Sequence, residues 1–377
     1  MRVIFKILLW PLFALRQLLH WAYDPLRKER ESIGARRVDR RQFVPLLAQT
    51  ISSVRYADGR MLVISQQPAA TSANGVQQEI GAKPFDLATD GAFIWYTDLG
   101  SAERSVLRLA RDGRELQALP IKAKSWALAF DGKHMWVTHP EANAVSRVKL
   151  SARRKVQGIR TIALKKSASN TAEPLHPSEI AYAEGRVWIA CRGGLVRVDI
   201  KSCRQDFVAL NFTPMLLAYD GRDLWMAHAV EKQSGLWQIK KCDMQGRLVP
   251  FKQELALSDQ PHGLAFDGTH LWVMHDDGAM KIDILENDLE GNASSNERLT
   301  AAAFDGEMLW AAAPEEGRIN RIDIRAKSVL SHVRPLERAL QTPRNYARMC
   351  FDGSFMWLTD SIETAGQTHG VIYRFLV

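Results

Sequence analysis

The chain of 377 residues lacks most of the signatures that identify an enzyme or a membrane-spanning protein. It has no phosphate-binding glycine loop, no nucleophile elbow, no zinc-protease helix motif and no dinucleotide fingerprint. Its four cysteines show no C-x-x-C spacing and no secreted disulfide framework, which favours a reducing compartment. Near the N-terminus the longest uncharged run, 7–15, is too short to span a bilayer as a helix.

The chain also lacks a sustained 3.6-residue apolar period between residues 84 and 377, which excludes a helical solenoid. A short motif recurs there instead: an Asp-Gly pair with a tryptophan five residues after the aspartate. In a weaker seventh copy the tryptophan follows a glutamate by four residues. The acids and their tryptophans are Asp90 and Trp95, Asp131 and Trp136, Glu184 and Trp188, Asp220 and Trp225, Asp267 and Trp272, Asp305 and Trp310, and Asp352 and Trp357.

Each copy of the motif predicts two strands joined by a tight turn. In GLAFDGTHLWVMHDD (263–277) an apolar run leads into Asp-Gly, and HLWVMH continues as a second strand with a large aromatic side chain. An alternating third strand follows in most units, for example NAVSRVKL at 143–150, and then a more variable fourth run. Four antiparallel strands that repeat every 37 to 52 residues are typical of β-propeller blades, so we predict seven blades.

The two ends of the repeat region predict how the ring closes. The last unit ends at Val377 on its third strand, so its fourth strand must come from elsewhere in the chain. The segment GVQQEI (75–80) stands where a fourth strand should be relative to the next inner strand, and we interpret it as the outermost strand of the seventh blade. Residues 54–65 resemble a degenerate half-unit, either an extra hairpin or the remnant of an eighth blade.

The repeat resembles those of the NHL, YVTN and streptogramin-lyase-like propellers. The resemblance covers 75–377 and depends on the pattern P-x-x-[LI]-A-F-D-G-x-x-[LM]-W-V-T followed by N-A-V-S-R-V. It implies an all-β, seven-bladed propeller of four-stranded antiparallel blades. It implies no single function, because such propellers serve as lyases, lactonases, cofactor enzymes and binding platforms.

The N-terminal region differs from the repeats and predicts two further segments. Residues 1–41 carry ten Lys/Arg and four acidic residues, a net charge of +6, which leaves about +2 for the rest of the chain. On a helical wheel of 1–23 the basic side chains share one arc and most of the remainder is apolar. We therefore predict a basic amphipathic helical arm over 1–41 and a linker with an extra hairpin over 42–74.

The arm predicts attachment to something outside the ring. It suits an anionic membrane surface on the cytoplasmic side, or packing under the propeller or against another subunit. The alternative is an uncleaved signal anchor with a periplasmic propeller. Because the ring itself carries little net charge, a nucleic-acid partner is not expected.

Equivalent positions whose residue type differs from one repeat to the next indicate a candidate ligand site. Polar side chains stand three residues after several of the tryptophans and at the start of several inner strands, which lie on the face where propellers usually bind ligands. We expect a polar small molecule at this axial mouth, with most weight on His262 and His275. The predicted mouth residues are Asp86, Glu179, His262 and Arg348 at inner-strand starts, and Asp98, His139, His228, His275 and Asp360 after the tryptophans.

Catalysis is left open by these residues. Streptogramin lyases, as their motif implies, use a histidine at an inner-strand start with acids that hold Mg²⁺, and Pro261-His262-Gly263 resembles that element. His275 stands where the resemblance would require glutamate, so Mg²⁺ has few ligands and no cofactor is expected, a divalent metal being a weaker option. The sequence thus favours a non-catalytic binding or assembly propeller, with a lyase-like or hydrolytic enzyme acting at the mouth as the alternative.

Overall fold

The computed structural model describes residues 78–79, 83–101, 103–112, 115–166, 173–230, 235–294, 297–325, 328–333, 347–364 and 367–377. These residues form seven antiparallel sheets whose innermost strands contact one another in ring order. The all-β, seven-bladed prediction is confirmed. The predicted arm over 1–41 and the half-unit at 54–65 lie outside the described residues. Within the described ranges, no helix has the length and apolar character needed to cross a membrane.

Each blade runs from an inner strand on the axis to an outer strand at the rim, and the outer strand of blade 4 is divided into two pieces. Blade 7 takes its outer strand from the N-terminal side of the chain. The strands are β1 (Gln78–Glu79), which belongs to blade 7; β2 (Pro84–Thr89), β3 (Ile94–Asp98), β4 (Val106–Leu109) and β5 (Glu115–Ala118) in blade 1; β6 (Leu128–Phe130), β7 (His134–His139), β8 (Ala144–Leu150) and β9 (Val156–Ala163) in blade 2; β10 (Ile180–Ala183), β11 (Arg186–Cys191), β12 (Gly194–Asp199) and β13 (Gln205–Ala209) in blade 3; β14 (Leu216–Tyr219), β15 (Leu224–Ala229), β16 (Trp237–Cys242), β17 (Leu248–Val249) and β18 (Leu255–Leu257) in blade 4; β19 (Gly263–Phe266), β20 (His270–His275), β21 (Gly278–Asp283) and β22 (Asp288–Ser294) in blade 5; β23 (Ala301–Phe304), β24 (Met308–Ala313), β25 (Arg318–Asp323) and β26 (Ser328–Val333) in blade 6; and β27 (Met349–Phe351), β28 (Phe355–Thr364) and β29 (Gln367–Leu376) in blade 7.

The ring closes where the sequence predicted. Strand β1 pairs antiparallel with β29, with Gln78 opposite Ile372 and Glu79 opposite Val371. Blade 7 therefore has four strands, and β1 covers the edge that β29 would otherwise expose.

The Asp-Gly-to-Trp spacing has a direct physical cause, seen in Asp131 and Trp136. One carboxylate oxygen of Asp131 accepts the backbone N–H groups of Lys133 and His134, at 2.8 and 2.7 Å, and fixes the turn. The other oxygen accepts the indole N–H of Trp136 at 2.7 Å. Gly132 supplies the positive φ, 93°, that the turn requires. All six Asp-Gly copies make the carboxylate–indole bond, at 2.6 to 3.1 Å.

The seventh copy departs from this arrangement because its turn is shorter. Ala183 pairs directly with Arg186, which leaves only Glu184 and Gly185 in the turn, both with positive φ. Glu184 is exposed and cannot take the role of the buried aspartates. The indole nitrogen of Trp188 is buried and has no hydrogen-bond partner among the described residues.

The core is divided into seven clusters, one at each interface between blades. Trp136 of blade 2, for example, packs with Ile180, Val187 and Ile189 of blade 3. All seven repeat tryptophans lie on the second strand of their blades and are at most 2% exposed. Their predicted equivalence and burial are confirmed, and each removes about 150–250 Å² from water.

A cationic side chain opposite each tryptophan was not anticipated from the sequence. Trp136 faces Arg147 on the third strand, and the guanidinium of Arg147 also donates to the carbonyl of Ile200 in the next blade at 3.0 Å. Such a cation lies 4.7–5.9 Å from the ring in every blade, within cation–π range. The pairs are Arg108 and Trp95, Arg147 and Trp136, Arg197 and Trp188, Lys241 and Trp225, Lys281 and Trp272, Arg321 and Trp310, and Arg374 and Trp357.

Candidate functional site at the axial mouth

The inner strands of all seven blades line a channel of about 320 Å³ along the ring axis. Opposite each tryptophan the inner strand carries a small residue, which keeps the channel open: Ala88, Ala129, Ala181, Ala218, Ala265, Ala303 and Cys350. The next residue is aromatic in six blades, so the end near the Asp-Gly turns is lined with rings. The opposite end, where the inner strands begin, is the axial mouth.

Strand register gives one equivalent position in each blade at the axial mouth, two residues before the small residue. Four blades place an apolar residue or glycine there: Ala127, Leu216, Gly263 and Ala301. The other three place Asp86, Glu179 and Arg348, which we call the mouth cluster. All three were predicted mouth residues.

The structure brings the mouth cluster together. Arg348 of blade 7 forms an ion pair with Glu179 of blade 3, and its Nε lies 3.8 Å from Oδ1 of Asp86 in blade 1. Blades 7 and 3 are three places apart, the largest separation in a ring of seven, so the Arg348 side chain reaches across the mouth. The three side chains are only 11–21% exposed.

Burial and charge change the acidity of Asp86. Burial raises the pKa of its carboxyl from 3.8 to about 7, and the neighbouring Glu179 contributes in the same direction. Arg348 and the N–H of Leu128, which donates to Asp86 Oδ2 at 2.6 Å, offset only part of this effect. Asp86 therefore changes charge near neutral pH.

Three threonines hold the backbone around the mouth cluster. In blade 1, Thr97 Oγ1 accepts the N–H of Asp86 at 3.0 Å and donates to the carbonyl of Trp126 in blade 2 at 2.8 Å. Thr138 and Thr359, equivalent in blades 2 and 7, link in the same way to the next blades. We call these contacts the threonine ties. They join blades 7, 1, 2 and 3, the blades that carry or separate the charged residues.

Two aromatic rings lie next to the mouth cluster. Phe85 and Trp126 occupy equivalent places in blades 1 and 2, both half-buried, with ring centroids 4.6 Å apart. The guanidinium carbon of Arg348 lies 5.0 Å from the Phe85 ring centre. Neither these rings nor the threonine ties were predicted from the sequence. Only the W-x-T spacing shared by three units could have indicated the ties.

His262 and His275 form a separate group in blade 5. His262 precedes the register position of the mouth cluster by one residue, so it is equivalent to Phe85 rather than to Asp86. Its Nε2 lies 2.7 Å from Asp276 Oδ1, which also contacts Arg298 at 3.2 Å. His275 is buried, which lowers the pKa of its imidazole, and its Nε2 has no hydrogen-bond partner in the described part of the chain.

The other four predicted mouth residues are buried within their own blades. Asp98 accepts the N–H groups of Lys83 and Gly100, at 2.9 and 2.8 Å. The remaining three have intrablade or adjacent-loop contacts: His139 with Ser125 and Ser146, His228 with the ring of Phe212 and the carbonyl of Ala229, and Asp360 with Tyr373. The structure does not bring these four into the mouth cluster.

One trio of side chains could geometrically hold a metal ion, and it lies away from the mouth. Among the described residues, His270, Asp283 and Glu290 place one ligand atom each within 4.8 Å of one another. His270 already pairs with Glu290 at 2.7 Å, and the ammonium of Lys281 lies 3.2 Å from the same glutamate. The Lys281 ammonium thus already offsets the charge of one of the two carboxylates in this trio. None of the predicted mouth residues belongs to the trio.

No known protein family and no curated protein matches this sequence. Among solved structures the chain is similar to hydrazine synthase from Kuenenia stuttgartiensis, with 15% identity and a TM-score of 0.56, over 77% of this chain and 98% of that chain. It is also similar to dihydro-heme d1 dehydrogenase NirN, with 12% identity and a TM-score of 0.54, over 79% and 67% of the two chains. At these identities the similarity shows the fold alone. The chain is a seven-bladed β-propeller, consistent with the NHL- and YVTN-like character of its repeat.

Proposed function

We propose that this protein is a non-catalytic binding propeller that receives a polar ligand at its axial mouth. The observation that carries the proposal is the meeting of Asp86, Glu179 and Arg348, from three blades, at one end of the channel. The fold does not require charges there, because four blades have apolar residues or glycine at the same position. Burying charged groups costs free energy unless they are paired, so binding is a reason for the chain to carry them.

A thermal-shift screen of small polar compounds tests this proposal. Compounds that raise the melting temperature of the full chain should lose that effect in Glu179→Gln. They should keep it in Glu254→Gln, which removes the same charge from an exposed position in blade 4. If the rise in melting temperature caused by a compound is reduced equally in both variants, or in neither, the binding site lies elsewhere.

We also propose that the basic arm, residues 1–41, attaches the propeller to an anionic membrane surface on the cytoplasmic side. The net charge of +6 and the apolar face of 1–23 support this role. The alternatives are attachment to a larger protein complex and a periplasmic propeller on a signal anchor.

Sedimentation with vesicles of anionic and of zwitterionic lipid tests the attachment. The full chain should bind anionic vesicles and be released as salt rises, and deletion of 1–41 should abolish binding without changing the unfolding of the ring. Binding that ignores both lipid charge and salt would contradict the proposal.

A lyase-like or hydrolytic enzyme is the second candidate, favoured by one observation. The pKa of Asp86, raised to about 7 by burial and by Glu179, suits a general acid or base at neutral pH. If this candidate is correct, turnover of a bound compound should stop in Asp86→Asn while the compound still binds.

A further inference from the structure

The mouth cluster has more negative than positive groups. Two carboxyl groups, Asp86 and Glu179, face one guanidinium, Arg348. The Arg348 Nε lies 3.8 Å from Asp86 Oδ1, which is longer than a hydrogen bond, so the Asp86 carboxyl can accept a further donor. Arg348 balances one of the two carboxylates. Above about pH 7, where Asp86 is ionised, a second cation at this position would compensate the remaining negative charge.

The aromatic rings beside the cluster favour the same kind of group. Phe85 already receives the guanidinium of Arg348 on its face, at 5.0 Å, and Trp126 packs against Phe85. Both rings are half-buried and keep some surface open at the mouth. Aromatic faces attract cations through their quadrupole, most strongly where water is partly excluded.

The channel below the cluster sets a second condition on the ligand. It is lined at its mouth end by Leu87, Leu128 and Ile180, and its volume of about 320 Å³ could receive a short chain of methylene groups. Each methylene that leaves water for such a surface should tighten binding by about fourfold.

We infer that the ligand is an organic cation: an ammonium or guanidinium group held at the Asp86 carboxyl beside the Trp126 ring, with a short apolar chain in the axial channel. The inference depends on the proposed function, because it names the chemical class that the axial mouth takes. Its charge requirement is a property of the two carboxyl groups and is independent of whether the arm binds a membrane.

Calorimetric titration of the full chain at about pH 8, where Asp86 is ionised, with hexylammonium, hexanoate and 1-hexanol tests the inference. These three probes share the apolar chain and differ in head-group charge. Hexylammonium should bind and the other two should not. Asp86→Asn removes the carboxylate that pairs with the ammonium, and Glu179→Gln frees Arg348 to pair with Asp86 in its place. Either change should therefore weaken binding by about tenfold or more.

Two controls make the result specific to the mouth. Glu254→Gln, with the same change in net charge, should leave hexylammonium binding unchanged, and Trp126→Leu should weaken it. Circular dichroism and thermal melting show whether each variant is folded. If Asp86→Asn does not fold, Glu179→Gln and the three probes on the unaltered chain still decide whether the mouth requires a cation.

Three outcomes would overturn the inference. Binding of hexanoate or hexanol as tight as that of hexylammonium would remove the charge requirement but leave the mouth as a binding site, provided that Glu179→Gln alters it. An equal loss in Glu254→Gln would indicate non-specific charge attraction. No binding of any probe would reject the cation class, and the compound screen would then decide separately whether the mouth binds a ligand.

Discussion

The interfaces between blades 7, 1, 2 and 3 differ from the other four interfaces of the ring in one small feature. Two residues after the tryptophan, blades 7, 1 and 2 carry Thr359, Thr97 and Thr138, whose hydroxyls bond to the next blade. The other four blades have no hydroxyl there: Ala190, Ala227, Met274 and Ala312. The tryptophan cores, by contrast, occur at all seven interfaces.

This difference distinguishes the contacts that stabilise the ring, the tryptophan cores, from those that position the mouth cluster, the threonine ties. The cores are shared, so they account for the fold. The threonine ties occur only where the backbone must present Arg348, Asp86 and Glu179 to one another. They fix the positions of the residues that carry these side chains, so the proposed ligand would meet a backbone that is already ordered.

The largest expected effect concerns the shared core and should not distinguish the two regions. Trp136→Ala, in a tied interface, and Trp310→Ala, in an untied one, should each lower the free energy of unfolding by about 3–5 kcal/mol. Both side chains are fully buried against the next blade. Chemical denaturation measures the change, and a cost below about 1 kcal/mol at either site would contradict a core common to all blades.

Loss of one threonine tie should have the next largest effect. Thr97→Val leaves the buried N–H of Asp86 and the carbonyl of Trp126 without their hydroxyl partner, so unfolding free energy should fall by about 1–3 kcal/mol. Thr97→Ser keeps the hydroxyl and should recover most of the loss. If Ser and Val variants are equally destabilised, packing of the methyl group rather than the tie explains the threonine.

A smaller effect is expected from the hydrogen bond between the turn carboxylate and the indole, which the third blade lacks. Trp225→Phe removes an indole N–H that donates to Asp220 at 2.6 Å, whereas the indole of Trp188 has no such partner among the described residues. Both substitutions lose similar ring area. Trp225→Phe should therefore be more destabilising than Trp188→Phe by about 1–2 kcal/mol. Equal costs in denaturation would mean that the carboxylate–indole bond contributes no net stability.

A further expected effect is a dependence of stability on pH that is confined to the mouth. The folded state holds the Asp86 proton up to about pH 7, while the unfolded chain releases it near 3.8. Stability of the unaltered chain should therefore fall, relative to Asp86→Asn, as pH rises from about 4 to about 7, and the difference should be constant above that range.

Melting of both proteins across this range measures that difference. The buried histidines His139, His228 and His275, whose pKa values are lowered by burial, act with the opposite sign. They occur in both proteins, so their effect cancels. A difference that stays constant from pH 4 to pH 8 would contradict the raised pKa of Asp86.

The fold was predictable because its determinants are local and repeated. Asp131, Gly132 and Trp136 lie within six residues, and each has a steric or hydrogen-bonding role that its type reveals. The closing strand could be placed because a blade that ends at Val377 lacks one strand. Arg147, opposite Trp136, was equally local, and aligning the third strands would have revealed it.

The site was predictable only in part because its residues are distant in sequence. Glu179 and Arg348 are separated by 169 residues, and no local sequence pattern predicts their contact. His262 was grouped with them by counting from the turn, but the shorter turn of blade 3 shifts that count by one residue. His139 was included as a polar residue of the mouth, but its ring nitrogens form hydrogen bonds with Ser125 and Ser146 inside the blade.

The pairing of β1 with β29 has a consequence for the order of events during synthesis. Six blades consist of contiguous chain and can pair internally as they leave the ribosome, whereas Gln78 must wait for Ile372. Arg348 belongs to the same late blade. A nascent chain would therefore hold Asp86 and Glu179 without their guanidinium until blade 7 emerges, so the ring and the mouth cluster are completed together.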